Sequence, residues 1–263
     1  MIMEVDGLSQ GYGNNLVIDD ISFTAKSGEL LTVLGPNGCG KSTLIKTLCN
    51  VLSPKKGTIY VDKRDLSNID PKEMARLIGY VPQTMTHFGH STVYDLVLIG
   101  RRPYVDWSYS TNDLRVAADA MITMNVNAYI SRNIRELSGG QRQRAFIARA
   151  LAQEPNFYIF DEPTSSFDLR NQLDTMRIMR NIIHEKEACL IVALHDLNLA
   201  MRYSDRVMVL NDREIYDIGE PEDVITSKMI KDVYGVTADI MEDMHGLFVR
   251  TYDINTDLVE DRA

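Results

Sequence analysis

The sequence predicts an α/β fold: a mostly parallel sheet covered by helices, preceded by an antiparallel β unit and interrupted by a helical insertion. Three observations carry this reading. Wholly apolar runs of strand length, LLTVLG, NFYIFD and ACLIVAL, alternate with helical stretches, as parallel strands buried on both faces do. The opening MEVDGLSQGY and LVIDDISFTA are short strands punctuated by glycine, the mark of an antiparallel unit. From Thr92 to Gln153 the apolar spacing shifts to three and four residues, so this stretch is helical.

Taken in order, LLTVLG runs directly into GPNGCGKST, and TLIKTLCNVL then forms a helix that Ser53-Pro54 stops. TIYVD and LIGYVP add strands. TVYDLVLIG, DLRVAADAMITM and GQRQRAFIARALAQ read as three helices of the insertion. After NFYIFDEP comes a helix from about Leu169 to His184, then ACLIVALHD. RVMVLNDREIYDIG reads as a hairpin turning near Asn211-Asp212. The expected boundaries are a core of residues 1–85 and 154–219, a helical subdomain of 86–153, and an acidic helical cap with a tail over 220–263.

Composition narrows the function. A net charge of −9 argues against a general nucleic-acid binder, which needs a basic stripe; Arg142, Arg144 and Arg149 lie among apolar positions of one helix. Three cysteines, Cys39, Cys49 and Cys189, lack CxxC spacing, which points to a reducing compartment. The sequence opens charged, without a signal peptide, and its longest apolar run has strand rather than membrane length. Thirteen methionines are read as gap-filling core rather than a metal store.

Gly35 to Ser42 fits G-x-x-x-x-G-K-[ST] between a strand and a helix, a phosphate-binding loop. Its glycines, including Gly38 and Gly40, let backbone N–H groups turn toward phosphates, with Asn37, Cys39 and Thr43 in the same cradle. Lys41 brings charge to the β- and γ-phosphates, and Ser42 offers a hydroxyl to Mg²⁺. Cys39 reads as a small filler. At the end of FYIF, Asp161 is expected to hold Mg²⁺ and Glu162 to orient or deprotonate the attacking water. An Asp-Glu pair at a strand end can also be a solvated turn; the phosphate loop favours the catalytic reading.

A second glycine device, LSGGQRQR, opens a helix with two glycines, which cost about 1 kcal/mol each against alanine inside a helix. Bare N–H groups at a helix start suit an anion. Lying on the insertion, Ser138, Gly139, Gly140 and Gln141 are expected to reach the phosphate loop of a second copy. A two-fold dimer would then share two ATP sites.

GPNGCGKST, LSGGQ, IFDEPT and LHD, in that order, resemble the nucleotide-binding subunit of an ABC transporter over nearly the whole chain. The resemblance implies a P-loop NTPase fold with a RecA-like core and a helical signature subdomain, and an ATPase using ATP and Mg²⁺. It also implies roles by position. Tyr12 would stack on adenine with Val17 beside it, Gln83 would reach Mg²⁺ and the water, Asp168 would belong to a loop crossing the dimer, and His195 would touch the γ-phosphate. Taken singly, these are a turn aromatic, a loop glutamine and a structural histidine. Where the family has a small residue and leucine before Asp168, this chain has Ser166 and Phe167.

Thr92-Val93 and Gly100-Arg101-Arg102-Pro103-Tyr104 resemble the subfamily that energises uptake of ferric siderophores, haem and cobalamin, with molybdate or tungstate importers among its relatives. The implied partners are a second copy, a permease docking around Gln83 to Tyr104, and a substrate-binding protein acting indirectly. The implied location is the cytoplasmic face of the membrane. The rivals are a soluble repair or regulatory ABC ATPase, which would carry a basic groove, and a P-loop kinase, whose acceptor site is nowhere evident.

Overall fold

In the computed structural model, which describes residues 1–83 and 91–252, the chain order places β1 (Ile2–Tyr12), β2 (Asn15–Lys26) and β3 (Leu30–Leu34) ahead of α1 (Lys41–Leu48). Next come β4 (Lys56–Val61), β5 (Arg64–Asp65), α2 (Pro71–Leu77) and β6 (Ile78–Val81). The insertion supplies α3 (Val93–Ile99), α4 (Thr111–Thr123) and α5 (Gly139–Gln153). The chain then continues through β7 (Phe157–Asp161), α6 (Leu169–Lys186), β8 (Cys189–Ala193), α7 (Leu197–Tyr203), β9 (Arg206–Asn211) and β10 (Glu214–Gly219). It closes with α8 (Pro221–Val224), α9 (Ser227–Tyr234), β11 (Ala238–Asp243) and β12 (Gly246–Thr251).

The central sheet has the order β10-β9-β3-β8-β7-β6, parallel throughout except for the β9–β10 hairpin. The antiparallel unit is β2-β1-β4-β5. Strand parity sorts the apolar runs onto two faces. Leu30, Tyr158, Phe160, Leu190 and Val192 join the core under the helical insertion. Leu31, Phe157, Ile159, Ile191 and Ala193 join the core beneath α1 and the antiparallel unit. That two-residue alternation puts Asp161 on the α1 side of the sheet. It also explains why these strands read as continuous hydrophobic runs.

The β9–β10 turn is Asp212-Arg213, both at positive φ (48° and 79°), as a type I′ turn requires. The C-terminal region differs from the expected helical cap: two short helices are followed by the β11–β12 hairpin, which packs on α7. Its two-residue turn is Met244-His245, side chains that give no turn signal in sequence, with Gly246 at φ 108° taking the left-handed position.

Gly100-Arg101-Arg102-Pro103-Tyr104 proves to be a packing device. Arg101 is buried, with Nε donating to Asp113 of α4 at 3.0 Å and Nη1 to the Ala152 carbonyl and Glu154, each at 2.8 Å. Its guanidinium lies 4.1 Å from the Tyr104 ring centre. The end of α3, α4 and the end of α5 are thereby tied at one point. Glu154 also accepts from Lys186 of α6 at 3.0 Å, linking the insertion to the core.

Candidate functional site

The site lies at the C-terminal ends of adjacent parallel strands, where open α/β sheets place ligands. The phosphate loop follows β3, His195 follows β8, Asp161 and Glu162 end β7, and Gln83 follows β6. Val17, Asn37, Gly38, Gly40, Lys41, Ser42, Thr43, Gln83 and Glu162 line one cavity of about 320 Å³.

The loop needs its glycines for different reasons. Gly38 (φ 83°) and Gly40 (φ 114°) adopt backbone that other residues rarely take, and a Cβ on Gly40 would collide with Ile18. Lys41 is buried, its Nζ donating to the carbonyls of Gly35 at 2.6 Å and Pro36 at 3.1 Å. The Ser42 hydroxyl donates to Asp161 at 3.0 Å, as strand parity requires. Burial pushes the Asp161 carboxyl above the usual range, the Ser42 hydroxyl pulls it down, and the neighbouring Glu162 pushes it up. Burial also raises the Cys39 thiol against the pull of Lys41, which keeps it protonated and suits a filler.

Glu162 turns off the strand at φ 50°, a conformation sparsely used by residues with side chains. Gln83 Nε2 donates to Oε2 at 2.5 Å, and His195 Nε2 stands 2.5 Å from Oε1. Two residues from neighbouring strand ends, Gln83 and His195, therefore converge on the Glu162 carboxylate at the cavity wall. Tyr12 is exposed at the β1–β2 turn and does not line the cavity, whereas Val17 does.

The signature residues stand apart. Ser138, Gly139, Gly140 and Gln141 contribute nothing to the cavity wall. Ser138 caps α5, its hydroxyl accepting from the Gln141 N–H at 3.2 Å while the Gln141 side chain accepts from the Ser138 N–H at 3.1 Å. A Cβ on Gly140 would lie 3.3 Å from the Phe167 ring, so Phe167 fills an apolar slot directly behind the glycine pair. Asp168 caps α6, accepting from the Asn171 N–H at 2.8 Å. Part of the segment expected to meet a permease, residues 84–90, lies outside the described residues.

Sequence reasoning missed Tyr234 of α9, whose hydroxyl accepts the N–H of Gly35 at 2.9 Å. No local signal could reveal that contact, because the two residues belong to opposite ends of the chain.

Residues 18–165 match the ABC transporter family model. An ABC transporter ATP-binding protein of Methanocaldococcus jannaschii is 44% identical over 247 residues, 94% of this chain and 96% of that protein. The hemin import ATP-binding protein of Thermobifida fusca is 38% identical over 234 residues, 89% of this chain and 82% of the relative. The petrobactin import ATP-binding protein of Bacillus anthracis is 34% identical over 243 residues, 92% and 89% of the respective chains. Among solved structures, a metal-chelate type ABC transporter in an inward-facing conformation superposes with a TM-score of 0.82 at 28% identity, covering 98% of this chain and 99% of that one. With its phosphate loop, acid pair and signature helix in the arrangement described, the chain belongs to the ABC transporter family, as an ATP-binding and ATP-hydrolysing subunit.

Proposed function

We propose that this chain powers an importer of ferric siderophore, haem or cobalamin, working as a homodimer beneath a dimeric permease at the cytoplasmic face of the membrane. The import relatives, named for hemin, petrobactin, ferric enterobactin and cobalamin, support the cargo class. Among the described residues, no helix is long and apolar enough to cross a membrane. A groove of about 530 Å³ between α2 and the end of α3, walled by Pro71, Lys72, Ile99, Pro103 and Val105, supports docking of a permease helix there.

The observation that carries the catalytic reading is the convergence of Gln83 and His195 on Glu162 beside the phosphate loop. Glu162 serves as the base that orients and deprotonates water, His195 and Gln83 hold its carboxylate, and His195 is the contact to the γ-phosphate. Lys41 and the loop N–H groups grip the β- and γ-phosphates; Tyr12 and Val17 flank the adenine. The hydroxyl of Ser42 and carboxylate of Asp161 form a hard-oxygen pair suited to Mg²⁺, and a cation there would relieve the cost of keeping Asp161 charged while buried. Bound there, Mg²⁺ neutralises charge on the phosphates. Because Ser138, Gly139 and Gly140 lie off the cavity, they act on the ATP of the second copy, with Asp168 at the same interface. The deciding experiment is ATP-driven uptake by the reconstituted transporter: transport lost in Glu162→Gln but retained in wild type supports this reading, and uptake that survives the substitution rejects it.

A further inference from the structure

Residues after Glu220 carry no motif, yet they reach the ATP site. Helix α9 buries Met229, Ile230 and Val233 in the main core and ends at Gly235, whose φ of 68° closes it in the usual left-handed manner. Its last residue, Tyr234, is thereby directed at the phosphate loop, where its hydroxyl accepts the Gly35 N–H at 2.9 Å. The other side of Gly35 is also committed: its carbonyl accepts Lys41 Nζ at 2.6 Å. Gly35 is wedged as well, since a Cβ there would strike the Leu210 carbonyl and the Cys39 sulfur. The C-terminal unit has a second anchor. Asn198 of α7, the helix that follows His195, exchanges hydrogen bonds with Val249 of β12 at 2.7 and 3.3 Å.

We propose that Tyr234 is a positioning residue for ATP: its hydroxyl fixes the Gly35 peptide, Gly35 in turn sets the Lys41 ammonium, and the C-terminal unit thereby tunes the affinity of the loop. The proposal rests on the reading of Lys41 as the phosphate-binding lysine. Burial pushes the Tyr234 hydroxyl up to about 12, so it stays a neutral acceptor at any working pH. Without it, a buried N–H at the mouth of the loop has no partner, and the peptide turns to find one.

The test is Mg-ATP affinity of the full chain by calorimetry for Tyr234→Phe, Ile230→Val and Lys41→Ala. Tyr234→Phe should weaken binding about tenfold, the loss expected when a buried donor is orphaned. Ile230→Val, a packing change in the same helix, should lower the melting temperature and leave affinity within about twofold. In the assembled transporter, Tyr234→Phe should raise KM by the same factor with kcat preserved. Unchanged affinity in Tyr234→Phe beside lost binding in Lys41→Ala overturns this proposal alone. Equal weakening by Ile230→Val also overturns it, because the role is then merely structural. Wild-type binding by Lys41→Ala removes the site reading and the proposal together. Should Tyr234→Phe not fold, hydrogen exchange of the Gly35 amide in the unmodified chain decides: protection supports the bond, and exchange as fast as an open loop rejects it.

Discussion

Glu162 and His195 face each other at 2.5 Å, carboxylate Oε1 to imidazole Nε2, from the ends of the neighbouring strands β7 and β8. Gln83 occupies the second oxygen of the same carboxylate. Replacing Glu162 with glutamine keeps the size and removes the carboxylate proposed as the base. Hydrolysis should fall by about a hundredfold or more while Mg-ATP binding survives. Light scattering should then show the mass of Glu162→Gln doubling on Mg-ATP addition, and hydrolysis by the variant at the wild-type rate would remove Glu162 from its role.

Asp161 predicts a trade between stability and activity. Its folded carboxyl titrates above the unfolded one, chiefly through burial. The sign follows: its contribution to stability is greatest below the unfolded value near 3.8 and is lost as pH rises through the folded value. Asp161→Asn should therefore melt higher than wild type, with a gap that widens from pH 4 toward pH 7, and should lose Mg-ATP hydrolysis. Melting curves across that range check it; a gap independent of pH refutes it.

The glycine pair can be tested by complementation. Ser138→Arg should cost about 1 kcal/mol through the lost cap, too little to unfold the chain, and should abolish hydrolysis. Mixed with Glu162→Gln, it should form heterodimers holding one site with an intact signature and an intact base. Partial recovery of ATPase in the mixture is the expected result. Two inactive variants that stay inactive together would mean that the signature does not act across the dimer.

The Arg101 network should matter far more than its exposed outlier. Arg101→Ala leaves Asp113 buried beside no cation, a loss of about 3 kcal/mol or more. Asp113 is held below the usual carboxylate range by the Ser110 hydroxyl first and by Arg101 as well, so its contribution is present above about pH 4 and lost as acid protonates it. Lys186→Ala breaks only a solvent-facing pair with Glu154 and should cost under about 1 kcal/mol. Denaturant melts of both variants make the comparison, and equal losses would contradict the burial argument.

Legibility in the sequence followed the spacing of the interacting residues. Gly35 to Thr43 work within one turn of chain, so the loop could be read whole, and the buried strands announced themselves because both faces are covered. Asp161 and Glu162 were separable by strand parity alone. Family resemblance assigned Gln83 to Mg²⁺ and the water and His195 to the γ-phosphate; their convergence on Glu162 was not legible, since three strand ends meet only once the sheet is ordered. The β11–β12 hairpin was hidden by a Met244-His245 turn and a half-exposed face. Arg101 read as part of a subfamily motif, and only packing shows it to be a structural knot.

The bond from Tyr234 to Gly35 spans 199 positions of chain. Translation at about 5–20 residues per second separates the two partners by roughly 10 to 40 s. A nascent chain therefore carries the phosphate loop well before that loop acquires its last constraint. Intermediates that lack α9 should grip ATP more loosely than the chain that includes it. Helix α9 thereby delays commitment to nucleotide until after the nucleotide motifs have been made.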